Sequence, residues 1–221
     1  MDNIIILGNG SMAQVLYSYL KDRYQICGFC VDKKCIKDKF IFNKPVVAIE
    51  KIEEYFSCNE YKIANSIGYV EMNDIRKSRY INLKEKGFKF VSYIHPSVKI
   101  HENVKIEDSC IILDFVSIHP NTTIKEGTFI SSNVSIGHDS CIGEFNWINS
   151  GVSIAGFVNT GKNCFWGINS CCGNNINIGN YNYISANTLI NKNTNDNDVY
   201  ISSSGEKFKL SSKKFLQFIG G

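Results

Sequence analysis

An excess of charge of either sign is missing from this sequence. Its 221 residues carry 24 basic and 21 acidic side chains, a net of +3, too small for a nucleic-acid footprint. A small-molecule partner is expected instead. Long apolar runs are missing too. The stretch Ile4-Ile5-Ile6-Leu7 is too short for the apolar region of a secretion signal or for a membrane span, so a cytoplasmic protein without a membrane span is expected. The nine cysteines are odd in number and follow no secretion signal, and they read as thiols in a reducing compartment. Cys27 and Cys30 have the spacing of a redox pair. They fall inside an expected strand, where residues three apart face opposite sides, and no redox role is assigned to them.

What the sequence has in abundance is a six-residue period. From Ser97 the chain divides without a gap into ten hexads, SVKIHE through GVSIAG, with isoleucine in the fourth place of every one from Ile100 to Ile154. The register continues through Thr160, Trp166 and Cys172, which break the rule, and recovers at Ile178, Ile184 and Ile190. Small or β-branched residues such as Val98, Cys110, Val116 and Thr122 hold the second place, and both places are expected to face inward. Six fits neither a helix nor an unbroken alternating strand. It fits a short strand plus a corner, three of which make a triangular coil of about 18 residues, stacked at roughly 4.8 Å. An ordinary sandwich, with strands every 8 to 12 residues, has little room for this pattern. Periodicity predicts a parallel β-solenoid without fixing its hand.

Residues 1 to 95 show no hexads and read as alternating strands and helices. Strands are predicted at 3–7, 25–31, near 46, at 61–67 and at 88–91, and helices at 11–19, 50–56 and 73–86. Between the first strand and helix lies Gly8-Asn9-Gly10-Ser-Met-Ala13. Such a turn brings backbone N–H groups to a phosphate at the positive end of a helix. Asp32 ends the second strand, where an acid often meets a ribose or base. The plain alternative is that Gly8 and Gly10 only permit a tight turn. With one βαβ half and no room for a second, the site suits a nucleotide carrying another group better than a dinucleotide.

The mini-domain with its GxG turn, Ile67-Gly68 followed by Asp74-Ile75-Arg76, and Ile94-His95-Pro96-Ser97 leading into hexads with Ile-Gly pairs together cover nearly the whole chain. That combination resembles the bacterial sugar O/N-acetyltransferases, which include the bacillosamine-pathway and perosamine N-acetyltransferases and the sialic-acid O-acetyltransferases. The resemblance implies an α/β Rossmann-like nucleotide-sugar-binding mini-domain over 1–95, and over 96–221 a left-handed parallel β-helix with a C-terminal tail. It also implies a homotrimer with active sites between subunits, acetyl-CoA as co-substrate, and a nucleotide-linked amino sugar as acceptor. Carried over by motif, Gly8, Asn9, Gly10, Asp32 and Arg76 would meet the nucleotide sugar. His138 and Asp139, in NVSIGHD, would be the base and its carboxylate. Gly156, Ile168, Asn174 and Ala186 would meet acetyl-CoA.

The chemistry suits these residues. Acetyl transfer from a thioester needs a neutral amine or activated hydroxyl as nucleophile, a base for its proton and a donor for the carbonyl oxyanion. An adjacent carboxylate fixes the tautomer of the base and steadies its protonated form. Gly156 follows His138 by 18 residues, so the two are expected at one corner on successive coils, on the order of 5 Å apart, with the Gly156 N–H as oxyanion donor. A corner residue on a solvated edge is the plain alternative for His138. Where many relatives carry a second histidine nine residues after the base, this chain has Trp147, read as a substrate-positioning residue through its indole N–H. His95 and His119 are read as structural, and no third histidine stands at metal-site spacing, so no metal is expected. The tail carries Lys207, Lys209, Lys213 and Lys214, read as a solvated segment outside the site. An N-acetyltransferase acting on a nucleotide-linked 4-amino-4,6-dideoxysugar for surface glycans leads. Sugar O-acetylation and a non-catalytic sugar-binding scaffold are the alternatives.

Overall fold

In the computed structural model, which describes residues 1–220, each hexad folds as two residues of strand followed by a turn. The turns close because the first residue of each hexad takes the left-handed backbone conformation. At all fifteen corners from Asn103 to Asn187, φ lies between +51° and +74°. Asparagine holds seven of these places, as expected of the non-glycine residue that best tolerates that region. The coils wind as a left-handed parallel β-helix with three faces. One face has seven strands, from Tyr93–Ile94 to Val199–Tyr200; the second has six, from Lys99–Ile100 to Leu189–Ile190; the third has five, from Lys105–Ile106 to Asn177–Ile178. Strands pair in parallel at a spacing of 18 residues, as in Ile118 with Ile136 and Ile136 with Ile154.

Inside the prism the fourth-place isoleucines stack with second-place Val116, Val134 and Val152 into one apolar column. The departures from isoleucine stay inside, with Trp166 fully buried and Cys172 nearly so. Trp166→Ala is expected to cost roughly 3–5 kcal/mol of stability, since no neighbour in a stacked prism can collapse into the void. Chemical denaturation followed by circular dichroism checks this. The nine cysteines are all free thiols.

The N-terminal unit has strands β1 (Asn3–Leu7), β2 (Gln25–Val31), β3 (Phe40–Ile41), β4 (Lys44–Ala48), β5 (Tyr61–Asn65) and β6 (Lys89–Phe90), in sheet order β3-β4-β2-β1-β5-β6. All neighbours are parallel except the β3-β4 hairpin. Helices α1 (Ser11–Leu20) and α2 (Asp74–Glu85) pack on it. The segment expected as an α-helix over 50–56 is instead a 3-10 turn at Ile49–Glu54.

The two units share a core. Third-place residues of the seven-stranded face, Tyr93, Ile111, Phe129, Trp147 and Phe165, are buried together with Ile4, Ile6, Leu16 and Leu20. The first solenoid rung is Tyr93–Ile94, paired with Ile111–Ile112, so the prism begins just before Pro96. A third helix, α3 (Ser212–Phe218), lies in the tail.

Candidate active site

His138 and Asp139 occupy one corner, between the strand Ser135–Ile136 of the second face and Cys141–Ile142 of the third. The seven-stranded face, which carries the α/β unit, is the side of the triangle opposite that corner. Asp139 starts its hexad with φ +53°, which turns its carboxylate back to the preceding ring. His138 Nδ1 lies 2.7 Å from Asp139 Oδ2, and Asp139 Oδ1 accepts a hydrogen bond from Asn121 Nδ2 at 3.0 Å. Asn121 in turn accepts one from Asn103 at 3.1 Å. The His138 contact first, and Asn121 second, hold the Asp139 carboxyl below its ordinary pKa. The carboxylate therefore stays charged to a lower pH than an ordinary aspartate. The His138 side chain is 50% exposed and meets Phe157 edge-on at 5.1 Å.

Gly156 lies one coil further on at the same corner, where Phe157 N–H donates to His138 O at 2.9 Å. A methyl group in place of its hydrogen would lie 2.8 Å from His138 Nε2 and 2.9 Å from Cε1. The ring thus stacks directly against the glycine. The Gly156 N–H is occupied, however, donating to Asn174 Oδ1 at 3.1 Å. Asn174, one coil further on, shares this edge. Ile168 and Ala186 are both exposed but lie on the neighbouring edge, across the second face from His138.

In the α/β unit, Gly8, Asn9, Gly10 and Asp32 line one cavity of about 360 Å³ with Ser66, Ile67 and Gly68. Gly8 has φ +119°, and a side chain there would lie 2.6 Å from Ser66 Oγ. At Gly10, the N-cap of α1, a Cβ would meet nothing within 4 Å, so the backbone faces open space. Asn9 Nδ2 donates to Cys35 O at 2.8 Å, which fixes the loop. Asp32 is gripped by Arg79 through Nε at 2.6 Å and Nη2 at 2.8 Å. Sequence reading missed Arg79, and with it the adjoining cleft of about 730 Å³ lined by Asp32, Lys33, Lys34, Glu50, Arg79 and Asn82.

Two expectations need correction. Arg76 is fully buried and donates to Gly127 O, Asn65 O and Ile67 O, so its guanidinium ties α2 to the prism instead of facing a nucleotide. Desolvation lowers its pKa to about 10, which leaves it charged at neutral pH. Trp147 is 5% exposed, stacked on Phe129 at 4.0 Å, and its indole N–H donates to Asn149 Oδ1 at 3.2 Å. It is a packing residue of the shared core, on the face opposite His138. His95 bonds Ser97 and His119 packs on His101.

Residues 103–138 match the bacterial transferase hexapeptide family, six repeats. The prism is a hexapeptide-repeat β-helix. Solved structures extend the likeness of the hexapeptide chain to the α/β unit. The acetyltransferase domain of PglB from Neisseria gonorrhoeae FA1090 is 18% identical with a TM-score of 0.80, over 90% of this chain and 96% of that one. PerB from Caulobacter crescentus, solved with CoA and GDP-perosamine, is 20% identical with a TM-score of 0.78, over 90% and 93%. WeeI from Acinetobacter baumannii AYE is 13% identical with a TM-score of 0.78, over 90% and 96%. At these identities the likeness establishes a shared fold.

Proposed function

We propose that this hexapeptide protein is an acetyl-CoA-dependent N-acetyltransferase whose acceptor is a nucleotide-linked amino sugar, of the 4-amino-4,6-dideoxyhexose type, for surface-glycan assembly. One observation carries the reading. A half-exposed imidazole is held by a carboxylate on one nitrogen, and its other nitrogen lies against a glycine of the next coil. His138 Nε2 takes the proton that the amine loses as it attacks the thioester carbonyl. Asp139 keeps Nδ1 protonated and steadies the imidazolium. The Gly156 N–H stabilises the oxyanion once Asn174 Oδ1 gives way to it. The leaving CoA thiolate takes up the proton at the end of the step.

The Gly8–Gly10 cavity suits a phosphate at the start of α1, and a free sugar offers that loop nothing to hold. The comparison proteins support the substrate class, since PglB's domain was solved with acetyl-CoA and PerB with GDP-perosamine. Because the α/β unit sits across the prism from His138 in its own chain, we place each working site between subunits of a homotrimer. There the cavity of one chain faces the His138 edge of the next.

Thiol release from acetyl-CoA, measured with a panel of nucleotide-linked amino sugars and with free sialic acid, tests this. Turnover with an amino sugar nucleotide supports it. Turnover with the free sugar alone moves the reading to O-acetylation, and no turnover with any acceptor removes it. Asp139→Asn is expected to lower kcat roughly tenfold or more, because the imidazolium formed in the step loses its counter-charge. Asn121→Ala should move kcat the same way by only a few-fold, since Asp139 keeps its contact with the ring. Rate profiles from pH 5 to 9 read both.

A further inference from the structure

The tail contains a feature that acetyl transfer does not use. From Gly205 onward the chain has four lysines and one glutamate, which leaves twenty basic and twenty acidic residues in all that precedes it. The entire net charge of the protein therefore sits in its last seventeen residues. Every described residue from 203 to 220 is exposed, including Phe208, Leu210, Phe215, Leu216, Phe218 and Ile219. Helix α3 sorts these groups by face. At about 100° per residue, Phe215, Leu216 and Phe218 share one side of the helix, with Ile219 at its C-cap, and Lys213, Lys214 and Gln217 share the other. Phe208 folds back onto Phe215, ring centroids 5.1 Å apart, and extends the apolar side.

We propose that residues 205–220 dock this protein on an anionic lipid surface. A lysine-bearing helix with phenylalanine and leucine on its opposite side is suited to the headgroup boundary, the rings entering the acyl edge and the ammonium groups meeting lipid phosphates. Charge selects this occupant over a second copy of the chain, because the balanced remainder of the molecule offers no net negative partner for the tail. No helix among the described residues is long and apolar enough to cross a membrane, so attachment through this segment is peripheral. The proposal goes beyond acetyl transfer and stands whether or not that reading holds.

Flotation of the full chain with vesicles of phosphatidylcholine containing about one third phosphatidylglycerol tests it, with pure phosphatidylcholine vesicles alongside and light scattering to follow oligomeric mass. Binding is expected to the anionic vesicles only. It should be lost as salt rises, and should weaken about a hundredfold or more when all four lysines become glutamine, at roughly fivefold per lysine. Phe215→Ser with Phe218→Ser should also weaken it, with oligomeric mass unchanged. Absence of flotation at low salt overturns the proposal. So does full binding by the glutamine variant, and so does a fall in oligomeric mass in the serine variant, which would place the tail in a contact between subunits.

Discussion

His138→Ala is expected to lower kcat for acetyl transfer by about 10²–10⁴-fold, the usual worth of a positioned general base, in a protein that folds as before. The ring is half-exposed and lies outside the isoleucine column, so its removal opens no internal cavity. KM for acetyl-CoA should change little, because the loss falls on proton transfer and not on binding shared by ground and transition states. The rate of the intact protein should fall toward acid, because a general base acts only in its unprotonated form. Asp139 does not contribute to that limb, since the contact with His138 keeps its carboxyl ionised to lower pH than usual. Thiol-release kinetics across pH, with circular dichroism of the variant, check the set. A variant that keeps its full rate shows that the ring is only a corner residue.

The interior of the prism was legible because its geometry maps directly onto the letters, with one isoleucine per face of each coil from Ile100 to Ile154 and again from Ile178 to Ile190. The covered face was legible too, in a place that reading passed over. Ile111, Phe129, Trp147, Phe165 and Tyr183 recur every 18 residues in the third place of the hexad, where the second face has Ser117, Ser135 and Ser153. That series marks the side that packs on α1 and β1, and it assigns Trp147 to packing. Arg76 and Arg79 could not be told apart by sequence. Both lie on α2, and only tertiary packing decides which one enters the interior and which one reaches Asp32. The β3-β4 hairpin was hidden because its turn uses Phe42 and Asn43, both at positive φ, in place of the glycine that usually advertises such a turn. The 18-residue spacing placed Gly156 over His138 correctly. It could not show that an asparagine side chain from the third coil occupies the amide.

That occupied corner leads to the second large effect. Gly156→Ala is expected to reduce kcat by about 10²–10³-fold, the worth of one oxyanion donor or more, without loss of fold. Two displacements act together. The new methyl would lie within 2.9 Å of two atoms of the imidazole, so the ring must swing off the glycine and its Nε2 leaves the line to the acceptor. The thioester carbonyl also loses the close approach to the N–H that only a bare Cα permits. The backbone has no reason to resist, because Gly156 does not adopt the left-handed conformation and the methyl meets a side chain with half its surface in water. Since the first of these losses passes through the imidazole that His138→Ala already removes, Gly156→Ala combined with His138→Ala should be slower than His138→Ala alone by less than the full single effect, the non-additivity expected of groups that act partly as a unit. Multiplying effects in that double variant would mean that glycine and ring work separately, and would separate the oxyanion site from the base.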